Sequence, residues 1–101
     1  MPAYMMSKVT VTNKEKFESY LTATKTVGAK YGGKPVVVGA QPKMLNGEGD
    51  GHHMVFVVEF PTMEKLDAWH SSDEYQAIVS LRDEGSDQHM VAYEGKVMSP
   101  S

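Results

Sequence analysis

The chain contains no cysteine among its 101 residues. A disulfide-stapled scaffold, a thiolate nucleophile and a cysteine metal site are therefore excluded. Long apolar runs are lacking too. The longest, Met54 to Val58, is far short of a membrane span, so no membrane partner is expected. The opening MPAYMMSKVT has no basic start followed by an apolar run. No signal peptide is expected, and the expected compartment is the cytoplasm. No Gly-x-Ser-x-Gly elbow and no His-Glu-x-x-His spacing occurs. The lysines are scattered among threonines rather than clustered with aromatics, which argues against a nucleic-acid partner.

What is present is the composition of an ordinary folded domain, with 41% apolar and 23% charged residues. A chain of this length has room for one core. A single domain over 1–96 with a short tail over 97–101 is expected. Charge is unevenly spread. Met1 to Gly47 holds seven lysines and two acids, for +5; Glu48 to Ser101 holds three basic residues and eleven acids, for −8. The two halves read as electrostatic complements, within one fold or across a dimer.

The hydrophobic pattern gives the order β-α-β-β-α-α-β. Ala3 to Val11 reads as a strand with a polar break at Ser7 and Lys8. Thr12 and Glu15 form a capping box. Phe17, Tyr20, Leu21, Val27 and Tyr31 follow at helical spacing, up to a stop at Gly32-Gly33. Lys34 to Val38 is a short strand, with a second extended piece over Lys43 to Leu45. Asn46 to Gly51 is a glycine-rich connection, read as a mobile loop or lid. It lacks the Gly-Lys-Ser/Thr ending of a phosphate loop and carries two acids that would repel a phosphate. Met54 to Phe60 is a strand ended by Pro61. Thr62 caps a helix carrying Met63, Leu66 and Trp69. Ser71 and Glu74 form a second capping box, restarting a helix with Tyr75, Ile78, Val79 and Arg82 on one face, closed by Gly85. His89 to Glu94 is the last strand.

The strand before Pro61 bears on assembly. Met54, Phe56, Val58 and Phe60 point one way; Val55, Val57 and then Glu59 point the other. Both faces are mostly apolar, whereas a strand with one face in water should alternate apolar and polar. The helices of so short a chain cover one face of a four-stranded sheet. A second copy is the expected cover for the other, making a homodimer with Val55, Val57 and Glu59 in its interface. Glu59 and Lys8, each mid-strand, are expected to pair across the sheet.

Several stretches narrow the fold further. Met1-Pro2-Ala3-Tyr4, Val9-Thr10-Val11-Thr12 and Tyr31-Gly32-Gly33 resemble the family called domain of unknown function 1330. So do Glu59-Phe60-Pro61 and the run Ala68-Trp69-His70-Ser71-Ser72-Asp73-Glu74-Tyr75-Gln76. Together they span Met1 to about Gly95. The resemblance implies an α+β, ferredoxin-like fold with a four-stranded antiparallel sheet, two subunits packing sheet to sheet as a dimeric α/β barrel. Relatives in that superfamily include cofactor-free monooxygenases, haem-dependent enzymes, lactone isomerases and polyketide cyclases, which use a pocket between sheet and helices. They share no catalytic set that could be carried over. Three features depart from the family pattern: Val38 where an arginine is expected, His70 where an aromatic is expected, and the loop ending in His52-His53.

Candidate chemistry rests on few residues. His70 follows Trp69 at a helix break, with Tyr75 five residues on. An imidazole and a phenol beside an aromatic wall suit acid–base work on a small organic ring. The plainer reading of His70 is a helix-end residue facing the last carbonyls. Trp69, with Tyr4 and Tyr93 from strands, would line the ligand pocket. His52, His53 and His89, with Asp50 or Glu94, have the chemistry of metal ligands, but a glycine-rich loop presents them poorly, so neither metal nor cofactor is expected. The methionines, Met5, Met6, Met54, Met63 and Met90 among them, read as core filler that also suits an apolar pocket. The expected protein is a homodimer that binds a small organic molecule, with cofactor-independent acid–base chemistry by His70 and Tyr75 as an extension. The alternative is a non-catalytic dimeric binding or accessory module.

Overall fold

The computed structural model describes residues 1–95. The expected tail, 97–101, lies outside the described residues. Four strands, β1 (Ala3–Val11), β2 (Lys34–Ala40), β3 (Met54–Phe60) and β4 (Ser86–Glu94), form one antiparallel sheet in the order β2-β3-β1-β4. Helix α1 (Lys14–Lys30) links β1 to β2; α2 (Met63–Ser71), α3 (Asp73–Gln76) and α4 (Val79–Gly85) link β3 to β4. This is the ferredoxin-like α+β arrangement.

Strand parity decides which residues meet the helices. Ala3, Met5, Ser7 and Val9 of β1 are all buried, and they lie opposite Phe60, Val58, Phe56 and Met54 of β3. Phe17, Tyr20 and Val27 of α1, Leu66 and Trp69 of α2 and Tyr75 of α3 complete the core. The other face carries Tyr4, Met6 and Lys8 opposite Glu59, Val57 and Val55. Val91 and Tyr93 of β4 join it, 46% and 53% exposed. All three helices after β3 and α1 before it pack on one side, so this second face is left bare of helix.

Lys8 and Glu59 do not pair. The register sets Lys8 against Val55 and Glu59 against Tyr4, four residues apart along the sheet. Glu59 instead faces Lys34 of β2, and Lys8 reaches Asp50 at 3.0 Å. Lys16 meets Glu84 at 3.3 Å, and Lys30 meets Glu74. Each of these ion pairs joins a lysine of the basic half to an acid of the acidic half, within one chain. Being exposed, they guide docking more than they stabilise.

Helix ends fall one residue later than the capping patterns suggest. Thr12 N and Asn13 N both donate to Gly85 O at 3.0 Å. That holds the chain extended through Asn13, whose side chain caps α1 by accepting from Lys16 N at 3.1 Å. Likewise α2 runs on through Ser71, so Ser72 is the cap, accepting from Tyr75 N at 3.1 Å. Thr62 caps α2 as expected. The helix expected from Ser71 to Gly85 is broken at Ala77–Ile78, where Ile78 N turns back to Tyr75 O. The break lets Tyr75 point into the core while α4 crosses to the start of α1. The extended piece over Lys43 to Leu45 is not a strand.

Two glycine sites fix these joints. Gly32 takes φ +81 and ends α1 beside Pro61. At Gly85 a Cβ would sit 2.5 Å from Phe17 N, so α4 lies directly on the α1 backbone. Backbone there cannot swing aside. Gly85→Ala is expected to cost about 1–3 kcal/mol through overpacking. At roughly 4–8 °C per kcal/mol in a domain of this size, thermal unfolding will read the loss directly.

Candidate functional site

Between α1 and the sheet lies a cavity of about 240 Å³. An engineered apolar cavity of ~150 Å³ accepts benzene, so this one suits a single ring with substituents. Its walls are largely aromatic and aliphatic, from Phe17 and Leu21 on α1 and Phe56, Val58 and Phe60 on β3. Trp69 closes one end. Its ring packs on Phe60 at 5.3 Å and on Tyr75 at 4.5 Å between centroids. Pro35 and Val38 of β2 and Lys25 of α1, all exposed, stand at the rim.

Polar groups interrupt the walls at few points. Ser7, 2% exposed, donates to Gln88 Oε1 at 2.7 Å, and Gln88 Nε2 donates to Ser86 Oγ at 2.9 Å. The Tyr20 hydroxyl lies 2.8 Å from the Tyr75 hydroxyl. Arg82 Nη1 donates to Tyr75 Oη at 3.2 Å, and Met90 Sδ lies 3.6 Å from that same oxygen. Burial, and next the Tyr75 hydroxyl, pushes the Tyr20 phenol above its ordinary value, so Tyr20 stays neutral. The indole Nε1 of Trp69 is buried with no hydrogen-bond partner. A buried donor left unmet costs about 1–3 kcal/mol.

A second, more open hollow of about 320 Å³ lies on the outer side of Trp69, against α2 and β4. His70 and Asp67 line it, and Met5 and Trp69 line both hollows.

The expected site residues are thus divided. Trp69, His70 and Tyr75 are brought together, with His70 5.3 Å from the Tyr75 ring and 6.0 Å from Trp69. Trp69 lines the α1 cavity. Tyr75 stands behind it and touches it through Tyr20. His70 is exposed and faces the outer hollow, because α2 turns Met63, Leu66 and Trp69 inward. Tyr4 and Tyr93 do not line either hollow: they are a cross-strand pair on the helix-free face. Tyr4 follows buried Ala3 directly, so it and its partner Tyr93 face the opposite side of the sheet. Val55, Val57 and Glu59 lie on that same face. Ser7, Tyr20 and Gln88, absent from the expected site, face the cavity. Ser7 shares the parity of Met5 and Val9, and that was the available signal.

The loop histidines are occupied otherwise. His52 Nδ1 bonds Asp50, while His53 N donates to Val9 O at 2.8 Å and His53 Nδ1 accepts from Val11 N at 3.2 Å. His89 lies opposite Lys8. Among the described residues, no three His, Cys, Asp or Glu side chains are grouped to hold a metal ion, and no helix is long and apolar enough to cross a membrane. The far end of the glycine-rich loop is therefore tethered to β1, while Leu45 near its start is 88% exposed.

With the geometry in place, comparison places the chain. A family model described as domain of unknown function (DUF1330) matches residues 2–96. The chain belongs to this family. Among solved structures, this DUF1330 protein is similar to a Rhodopseudomonas palustris protein of unknown function, at 22% identity and TM-score 0.79, covering 98% of this chain and 84% of that one. SnoaB, a cofactor-independent oxygenase from Streptomyces nogalater, aligns at 14% identity and TM-score 0.65, covering 99% and 98%. A dimeric ferredoxin-like protein of unknown function from Thermobifida fusca aligns at 11% and 0.60, covering 92% and 90%. These likenesses establish a common ferredoxin-like fold. No curated protein matches the DUF1330 chain in sequence.

The Asp50 clasp sets a pH dependence. Hydrogen bonds, from the His52 side chain first and Lys8 next, hold the Asp50 carboxyl well below the usual carboxylate range. A lowered folded-state pKa gives a contribution that is present above the unfolded value of ~3.9 and lost as pH falls below it. Backbone order parameters of the loop should hold from neutral pH to about 4.5 and drop at lower pH, beneath that reference value. Asp50→Asn should show the low values already at pH 7.

Proposed function

We propose that this DUF1330 protein is a homodimeric small-molecule-binding protein whose ligand occupies the cavity between α1 and the sheet. The observation that carries this reading is the cavity itself, about 240 Å³ between α1 and the sheet, walled by Phe17, Phe56, Phe60 and Trp69 and interrupted by few polar groups. A small, mainly apolar molecule would fill that space and gain from its burial.

The dimer half of the reading rests on the helix-free face. Val55, Val57, Val91 and Tyr93 would be covered by the same face of a second copy. Burying a large apolar side chain gains roughly 1.5–3 kcal/mol. Dimeric proteins of this fold support the arrangement.

Chemistry without a cofactor is the extension. One protein of the same fold is a cofactor-independent oxygenase. His70 would transfer protons in the outer hollow, with the Tyr75 ring beside it. The alternative, binding without catalysis, is favoured by the position of His70 outside the α1 cavity.

Trp69 is the only tryptophan, so its indole resonance is a single reporter beside the cavity, and the methyl groups of Leu21 and Val58, which line that cavity and not the outer hollow, assign the shift to it. Titration with benzene should shift that resonance saturably, together with the methyl groups of Leu21 and Val58. Shifts that never saturate, or that spread over the surface, would refute ligand binding here. For the dimer, light scattering should give twice the chain mass at micromolar concentration. Val57→Lys should halve that mass or unfold the protein. A Val57→Lys variant that remains a stable dimer removes the sheet-to-sheet interface from the reading.

A further inference from the structure

The two phenols beside the cavity carry an inference about the ligand. It rests on the reading that this cavity holds one. A guanidinium only donates, so Arg82 Nη1 gives a proton to Tyr75 Oη at 3.2 Å. That hydrogen bond draws electron density from the Tyr75 oxygen and makes its own O–H a stronger donor. Two acceptors are in reach of it. Met90 Sδ, at 3.6 Å, is a weak one; Tyr20 Oη, at 2.8 Å, is the better. Tyr20 therefore accepts from Tyr75, and its own proton is shared between the Thr24 side chain, its other hydrogen-bond partner, and the cavity that both residues line.

The walls narrow the rest. Tyr20 is buried, and the rings of Phe17, Phe56, Phe60 and Trp69 surround the space. Lys25, the one charged side chain on the lining, is exposed at the rim. An ion held inside would lose its hydration for nothing in return. A flat, neutral molecule with one acceptor oxygen would fill the space and meet the waiting hydroxyl.

We propose that Tyr20 is the hydrogen-bond donor to the ligand of this cavity. The ligand class is a neutral aromatic compound bearing a carbonyl oxygen. Arg82, acting through Tyr75, is the positioning residue that turns the Tyr20 hydroxyl inward.

Acetophenone and its isostere α-methylstyrene, which replaces the carbonyl oxygen by a methylene group, separate this role from packing. Tyr20→Phe should weaken acetophenone roughly tenfold and leave α-methylstyrene unchanged, the size expected for one hydrogen bond. Arg82→Met should weaken acetophenone alone, by a smaller factor, and Arg82→Lys, which keeps a donor, should restore it. In the wild-type protein the carbonyl stretch of bound ¹³C-acetophenone should fall below its value in an alkane, and return towards it in Tyr20→Phe. If both probes bind but lose affinity together, or if the stretch is alkane-like in the wild type, Tyr20 is only a packing residue. The inference then fails while the cavity remains a binding site. If neither probe binds the wild-type protein, the ligand-binding reading fails and this inference falls with it.

Discussion

The buried contact between the Tyr20 and Tyr75 hydroxyls sets the spacing of the helical layer. Two phenols meeting head to head at 2.8 Å act as a strut between α1 and α3. Neither ring can advance without losing a hydrogen bond inside the core, where an unmet hydroxyl is costly. Helix α1 is thus kept from settling fully onto β1 and β3, and space remains beneath it. Ser7, the small residue at mid-strand, deepens that space, since a larger side chain at this parity would fill it. The cavity is in this sense a product of two choices: long polar rings in the helices and a short polar side chain on the sheet.

Backbone hydrogen bonds hold the strut in place. Gly85 O accepts from both Thr12 N and Asn13 N, tying the end of α4 to the start of α1. The ion pairs of Lys16 with Glu84 and Lys30 with Glu74 sit at the two ends of α1. They orient the helix over α3 and α4 without adding much stability of their own. The separation of charge between the two halves of the sequence has its explanation here, in the packing of α1 against α3 and α4.

The elements were legible in the sequence because period and punctuation agree. Ala3–Val11 alternates, Met54–Phe60 is a nearly unbroken run of β-prone apolar residues ended by Pro61, and Phe17, Tyr20, Leu21 and Val27 recur at helical spacing before Gly32. The ferredoxin-like order follows from them. Caps were misread by one residue because serine and threonine stand side by side with equally good caps, and tertiary hydrogen bonds choose among them. The site was legible only in part. Trp69 and Tyr75 stand out by type and spacing, and their meeting is local. Ser7 looked like a break because its neighbour Lys8 is charged, yet the two lie on opposite faces. Tyr20 passed for a core aromatic since its partner hydroxyl comes from 55 residues away. Tyr4 and Tyr93 were drawn to the pocket by residue type, while parity places them on the far face.

Trp69 and Met5 each line both the α1 cavity and the outer hollow beside His70. A shared wall makes the two spaces communicate. A molecule that pressed the indole outward would enlarge the inner space at the expense of the outer one, and a molecule in the outer hollow would oppose that shift. Thermodynamic linkage makes this reciprocal: whatever one occupant does to the affinity of the second, the second does to the first. For a ligand in one space, the size accepted on the other side of the indole would follow from this shared wall.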